Sequence, residues 1–236
     1  MALDFLFVND FSDIGYTNSL YLGQLNLYNI VKNDGRFSSF LFNPNEMGLK
    51  NMFLNKKRED YILHVVNLIE ELNPTIVGFY TICYTFEVTV EIAYLLKIHN
   101  PNVTIIFAGP QATLMYEECL NSFEFIDGIS LGEGENSIID TIDILLNKGN
   151  LDSIPNFAYM NKAKHIVKNE IVPLLSSIEI EETLIKDYSP FQIENTKLYI
   201  EGGRGCPYNC SFCTTSSFWE RIYRVCSAES LTEAIE

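Results

Sequence analysis

Between Leu3 and Leu146 the chain repeats one alternation: a short apolar run, then a longer segment with apolar residues at helical spacing. Leu3–Asn9 and Ser38–Asn43 are two short runs, while Thr75–Thr81 and Thr104–Ala108 have the β-branched, apolar composition of strands covered on both faces. Tyr61, Val65, Leu68, Ile69 and Leu72 form one helical stripe, and Val88, Ile92, Leu95 and Leu96 a second. Ile138, Ile139, Ile142, Leu145 and Leu146 form another. Asn73-Pro74 and Asn100-Pro101 stop the first two helices, and Lys148-Gly149 closes the last as a C-terminal cap. Strands alternating with helices predict an α/β fold, a flavodoxin-like (Rossmann-type) doubly wound parallel sheet of five strands in the order 2-1-3-4-5. Such sheets bind ligands beyond the carboxyl ends of their strands, where the strand order reverses.

After Asn150 the pattern changes. Asn156–Met160 and His165–Lys168 read as a hairpin around Asn161–Lys164, followed by a polar, acidic connector from Ile178 to Glu194. Lys197–Glu201 reads as a strand leading into a cysteine loop, and Ser227–Glu236 as a helix with Ser230 and Glu233 at capping-box spacing. The chain thus divides into residues 1–150, a hairpin and linker at 151–195, and a last segment at 196–236.

The loop runs Gly203-Arg-Gly-Cys206-Pro-Tyr-Asn-Cys210-Ser-Phe-Cys213, and its spacing can aim three thiolates at one point, as an iron–sulfur cluster requires. The loop supplies no fourth ligand, and an open metal position is where chemistry occurs. A structural zinc site is the alternative, with Cys226 or His165 as a distant fourth ligand, but the second Cys-x2-Cys pair usual for zinc is absent.

This loop resembles the radical S-adenosylmethionine (SAM) signature Cys-x3-Cys-x-aromatic-Cys, with Phe212 in the aromatic slot. The resemblance implies that Cys206, Cys210 and Cys213 hold a [4Fe–4S] cluster and that SAM chelates its fourth iron. Reduction then cleaves SAM to a 5′-deoxyadenosyl radical, with Phe212 beside the adenine. Upstream, Asp10-Phe-Ser12-Asp-Ile-Gly15 resembles the Asp-x-His-x-x-Gly signature of cobalamin-binding domains, with Ser12 in the histidine slot. A serine there predicts no protein imidazole on cobalt, and leaves open a domain that has lost its cofactor. Val77–Thr81 sits where the same family's third strand passes the nucleotide tail, and Phe107–Thr113 and the run Gly132-Glu-Gly-Glu135 are similar to its turns after strands four and five. Glycines at such turns let backbone approach a ligand and open helix N-termini to anionic groups. By resemblance, Asp10, Ser12, Gly15, Thr81, Gly109 and Gln111 border the corrin or its tail.

The resemblance makes residues 1–150 a cobalamin (B12)-binding-like domain, and residues 196–236 the first strand–helix unit of a radical SAM partial barrel. It implies a truncated, catalytically incomplete N-terminal part of a cobalamin-dependent radical SAM enzyme, with methyl transfer to an unactivated centre as the leading activity. An electron donor such as flavodoxin or ferredoxin is the implied partner. One alternative is a non-catalytic corrinoid-binding or sensing module with a vestigial loop. Another is a methylthiotransferase, which carries a second cluster on three N-terminal cysteines where this chain has only Cys83 and Cys119.

Composition fits this reading. The 236 residues are 47% hydrophobic and 13% aromatic, ample for a packed core, and no apolar run reaches the roughly 18–20 residues of a membrane span. The start lacks a signal-peptide pattern, and three clustered cysteines among six point to metal chemistry in a reducing compartment, so the expected location is cytoplasmic. A formal charge of −15 speaks against nucleic-acid binding, which uses a basic face. Cys83 and Cys119 read as core residues, His99 as a helix-end surface group, and Arg204 and Arg221 as solvated arginines. Phe218, Trp219 and Tyr223 are expected to pack the first barrel helix.

Overall fold

The computed structural model describes residues 2–9, 22–44, 57–188 and 199–235. Strand β1 (Leu3–Val8) is followed by α1 (Leu22–Asp34), β2 (Ser39–Phe42), α2 (Arg58–Glu71), β3 (Pro74–Tyr80) and α3 (Phe86–His99). Then come β4 (Thr104–Ala108), α4 (Pro110–Leu114), α5 (Tyr116–Ser122), β5 (Gly128–Ser130) and α6 (Ile138–Leu146). The strands β1 to β5 pair in parallel in the expected order β2-β1-β3-β4-β5.

Side chains alternate across this sheet with a period of two, so each strand feeds two cores. Leu6, Val8, Val77, Phe79, Ile105 and Phe107 meet Tyr61, Val65 and Ile69 of α2 and Ile92 and Leu96 of α3. On the opposite face Phe5, Phe7, Ile76 and Ile106 meet Leu25 and Val31 of α1 and Ile138 and Ile142 of α6. Burial on both faces explains why the strands read as continuous apolar runs. Asn73 (φ 48°) and Lys148 (φ 51°) take the left-handed conformation that ends α2 and α6. At α6 the lysine, not the following glycine, turns the chain.

The hairpin corrects the expected strand count. Strands β6 (Phe157–Met160) and β7 (Ile166–Lys168) continue the same sheet, antiparallel, giving seven strands in the order β2-β1-β3-β4-β5-β6-β7. Three-residue β5 would be a bare edge, and edges invite further pairing. A Cβ on Gly128 would come within 2.0 Å of Phe157 Cζ, so the ring of β6 lies directly on the glycine of β5. Asn161 Oδ1 accepts from the N–H groups of Ala163 and His165, which closes the hairpin turn as read.

Three further expectations are corrected. The acidic connector contains a helix, α7 (Ser177–Glu182), with a complete capping box between Ser176 and Glu179. Tyr199–Glu201 lie outside any strand; the strand is β8 (Gly203–Gly205), paired antiparallel with β9 (Tyr223–Val225), with a short helix α8 (Thr215–Phe218) between them. The final helix, α9 (Ala228–Ile235), is capped by Ser227, whose Oγ accepts from the Ser230 N–H at 3.2 Å. Glu181 of α7 supplies the carboxylate expected from Glu233, accepting from the Ser227 N–H and the Ser230 hydroxyl. Leu175, Ile180, Leu184 and Cys226 form a small core of their own. No helix among the described residues is long and apolar enough to cross a membrane.

Candidate cofactor cleft and cysteine loop

A cleft of about 400 Å³ runs from the sheet face beside α1 and α6 up to the turns that follow β4 and β5. That volume lies within the range of small-molecule sites. Phe5, Phe7, Gly78, Tyr80, Ile106 and Ala108 form its floor, Gln24, Leu27, Ile138 and Thr141 its sides. Its roof comes from far along the chain: Glu201, Arg204, Thr214, Thr215, Phe218 and Trp219. Phe218 and Trp219 therefore cover the cleft rather than pack a following helix, and Tyr223 is exposed.

Of the residues expected around a corrin, Gly109 lines this cleft. Its φ of +92° is left-handed, and a Cβ there would lie 2.8 Å from the Thr81 carbonyl oxygen. Thr81 is fully buried just beneath: its hydroxyl donates to the Ala108 carbonyl at 2.7 Å and accepts from the Ala112 N–H at 3.0 Å. The Gln111 N–H donates to the Thr81 carbonyl at 3.2 Å. Thr81 and Gln111 thus brace the turn that presents Gly109. Asp10, Ser12 and Gly15 lie outside the described residues. Gln24 Oε1, buried on the cleft wall, has no hydrogen-bond partner among the described residues. A mostly apolar floor with one unmet acceptor on its wall fits a flat, apolar ring system carrying amide donors at its edge, as a corrinoid does.

The run Gly132–Glu135 holds more than turn glycines. Arg204 Nη1 donates to Glu133 Oε1 at 2.8 Å, and Nη2 reaches Glu135 Oε1 at 2.7 Å. Nε and Nη2 grip Glu201 at 3.0 and 2.9 Å. Arg224, paired with Arg204 across the β8–β9 ladder, donates from Nη1 to both Glu133 oxygens at 2.9 Å and to the Leu175 carbonyl at 2.7 Å. The Leu175 N–H completes the circuit by donating to Glu133 Oε2 at 2.7 Å. Side-chain exposure of Arg204, Arg224, Glu133 and Glu135 is 5–7%. Burial alone would lower the Arg204 pKa; the charges of Glu135 and Glu201 and the Glu133 hydrogen bond outweigh it and raise the pKa instead. The expected solvated Arg204 is thus a buried ion-pair centre. Its partners Glu133 and Glu135 lie about seventy residues away, where no local spacing reveals them. Arg221, by contrast, bonds Asn209 across the cysteine loop at 3.0 Å.

The loop itself leaves β8 through Gly205, with φ +92° and no room for a side chain: a Cβ would sit 1.8 Å from the Ile222 carbonyl oxygen. Cys206 and Cys213 are half-buried, Cys210 is exposed, and all three are free thiols. The Cys213 N–H donates to the Cys210 carbonyl at 3.1 Å. The Thr215 hydroxyl and N–H hydrogen-bond the Cys213 sulfur and hold its pKa below the usual thiol value. Among the described residues no three His, Cys, Asp or Glu side chains stand together as a metal-holding group, these cysteines included. As a donor set they nonetheless fit a cluster: three unpaired thiols in one eight-residue loop, one of them biased toward thiolate. Phe212 between them is 88% exposed. Cys226, weighed as a zinc ligand, packs in the small core, where burial raises its pKa. Cys119 is buried and Cys83 exposed.

Comparison with known proteins agrees with this architecture. The B12 binding domain family matches residues 50–140. An uncharacterised methyltransferase of Pyrococcus horikoshii is 27% identical over 178 residues, spanning 72% of this chain and 38% of that protein. The anaerobic magnesium-protoporphyrin IX monomethyl ester cyclase of Rubrivivax gelatinosus is 29% identical over 182 residues, 71% of this chain and 32% of the cyclase. The chain thus spans well under half the length of these relatives. The fold is shared with the radical SAM methyltransferase TsrM of Kitasatospora setae, a structure with cobalamin and a [4Fe–4S] cluster bound, at a TM-score of 0.69 and 12% identity over 100% of this chain and 45% of that one. Residues 50–140 thus match the B12 binding domain family, and the chain as a whole is similar in fold to a cobalamin-bound radical SAM methyltransferase.

Proposed function

We propose that this chain is the cofactor-bearing part of a radical SAM methyltransferase, with a corrinoid in the cleft and a [4Fe–4S] cluster on Cys206, Cys210 and Cys213. One observation carries the reading: Thr214, Thr215, Phe218 and Trp219, which follow directly on Cys213, are the roof of the cleft. The two cofactor positions are therefore neighbours across one short segment. When bound, the cluster and SAM supply reductive bond cleavage and the corrinoid a methyl carrier for an unactivated acceptor. The chain's own residues do the rest. Gly78, covered by the Phe5 ring, and Gly109, held against the Thr81 carbonyl, line the floor and rim, and Gln24 Oε1 would accept from an amide at the edge of a bound ring. Hydrogen bonding from Thr215 lowers the Cys213 pKa and so favours the thiolate that a metal would bind. Phe212 offers an open aromatic face to an adenine. Reduction of the cluster calls for a low-potential donor of the flavodoxin or ferredoxin class.

Anaerobic reconstitution with iron and sulfide tests the cluster. The wild type is expected to develop a four-iron spectrum that Cys206→Ala loses; a variant that keeps the full spectrum contradicts the ligand assignment. Hydroxocobalamin binding without cluster assembly would instead indicate a corrinoid-sensing module. Iron at twice the expected content would indicate a methylthiotransferase.

A further inference from the structure

The buried carboxylates of the Gly132–Glu135 run face the cysteine-bearing hairpin, and nothing in cluster or corrinoid ligation requires them. We propose that Arg204 is a positioning residue. Its ion pairs to Glu133 and Glu135 hold the β8–β9 hairpin, and with it the roof segment Thr214–Trp219, down on the cleft.

Within its two strands the hairpin has few other buried contacts, the next being Cys226 in the small core. Tyr223 and Val225 of β9 are 57% and 47% exposed, and of β8 and β9 only the two paired arginines are buried. Both arginines reach the same carboxylate, Glu133, one from each strand of the ladder. Glu135 adds a tie to α1, because Asn26 Nδ2 donates to the same Oε1 that meets Arg204. Gly203 and Gly205 flank Arg204 because the opposite strand leaves no space: Cβ atoms there would stand 2.5 Å from the Arg224 carbonyl oxygen and 1.8 Å from that of Ile222. Buried charge pairs are poor sources of net stability but fix one geometry against alternatives, because displacing either partner strands a charge away from water. The network therefore sets where the roof lies. The distance between whatever the loop binds and whatever the cleft binds follows from it. This inference deepens the corrinoid reading but does not need it for its first test.

Trp219 is the sole tryptophan of the chain, lines the roof, and lies under the Arg224 guanidinium at 5.1 Å, so its emission reports the latch directly. In the full chain, Arg204→Met is expected to shift Trp219 emission to longer wavelength and to raise its acrylamide quenching constant severalfold. It should weaken hydroxocobalamin binding, read as quenching of the same residue, by roughly tenfold, the loss of one charge-assisted contact. Iron uptake by the loop should remain at wild-type stoichiometry. Arg204→Lys, which keeps the charge and loses the fork, should recover part of both effects. Glu135→Gln, which leaves the Glu133 and Glu201 pairs in place, should move both readouts in the same direction by less, and it carries the test if Arg204→Met does not fold. Wild-type emission and quenching in Arg204→Met or Glu135→Gln overturn the latch while leaving the corrinoid reading intact. A wild type that ignores hydroxocobalamin while the variants change Trp219 as described upholds the latch and removes the corrinoid.

Discussion

Glu133 accepts from two arginines and one backbone N–H while 8% exposed, so its loss leaves Arg224 buried with no carboxylate among the described residues. Breaking a buried pair from one side costs about 3–5 kcal/mol. Glu133→Ala is expected to lower stability by that order in urea unfolding; Lys164→Ala, which removes an exposed pair with Glu124, should cost under about 1 kcal/mol. Cys119 gives a pH dependence. Burial first, then the charge of Glu118, pushes its thiol from 9.0 up to about 11. A raised folded-state pKa stabilises fully below pH 9.0 and loses that contribution as pH climbs through about 11. Between pH 8 and 11 the wild type should therefore lose roughly 2–3 kcal/mol more than Cys119→Ala, measured by urea unfolding at each pH. At this scale the sequence was legible where chemistry is local. The three loop cysteines stand out by spacing, and Gly109 through its resemblance to the family's turn after strand four. Arg204 did not, because an arginine between two glycines reads as solvated until the fold brings Glu133 and Glu135 to it.

Elements were legible wherever both faces of a strand are buried. Thr104–Ala108 is found with its expected bounds, since Ile105, Ile106 and Phe107 are buried in the two cores. The hairpin Phe157–Lys168 was legible as a hairpin, but its place was not. Its pairing to β5 rests on the fit of Phe157 over Gly128, a contact 29 residues apart by number. Gly128→Ala is expected to destabilise by about 1–3 kcal/mol through overpacking. Phe157→Leu in the same chain should return part of that loss, so the double variant would be less destabilised than the sum of the singles. Additive losses in urea unfolding would show that the ring is not what the glycine makes room for. The caps of α7 and α9 teach the same lesson. The α7 box at Ser176 and Glu179 lies within the acidic connector, and the α9 cap falls at Ser227, three residues before the expected Ser230, because Glu181 reaches across from another helix.

Across the whole molecule, the parallel sheet presents its carboxyl-end turns to a segment that begins some seventy residues later, and the cleft exists only where the two meet. Sheet order followed from the alternation of elements; the roof did not, since no pattern in residues 199–225 names the surface they cover. Of the acidic groups behind the net charge of −15, the buried Glu133 and Glu135 are matched by Arg204 and Arg224. Because that network is shielded from solvent, raising salt should leave the Trp219 emission of the wild type unchanged, whereas a surface latch would loosen. The most direct test of cleft and loop together is electron paramagnetic resonance of the chain loaded with both cobalamin and cluster and then reduced. The predicted result is a cob(II)alamin signal broadened by a neighbouring reduced four-iron cluster, with the broadening lost in Cys206→Ala. An unbroadened cob(II)alamin signal beside a fully formed cluster would contradict the account.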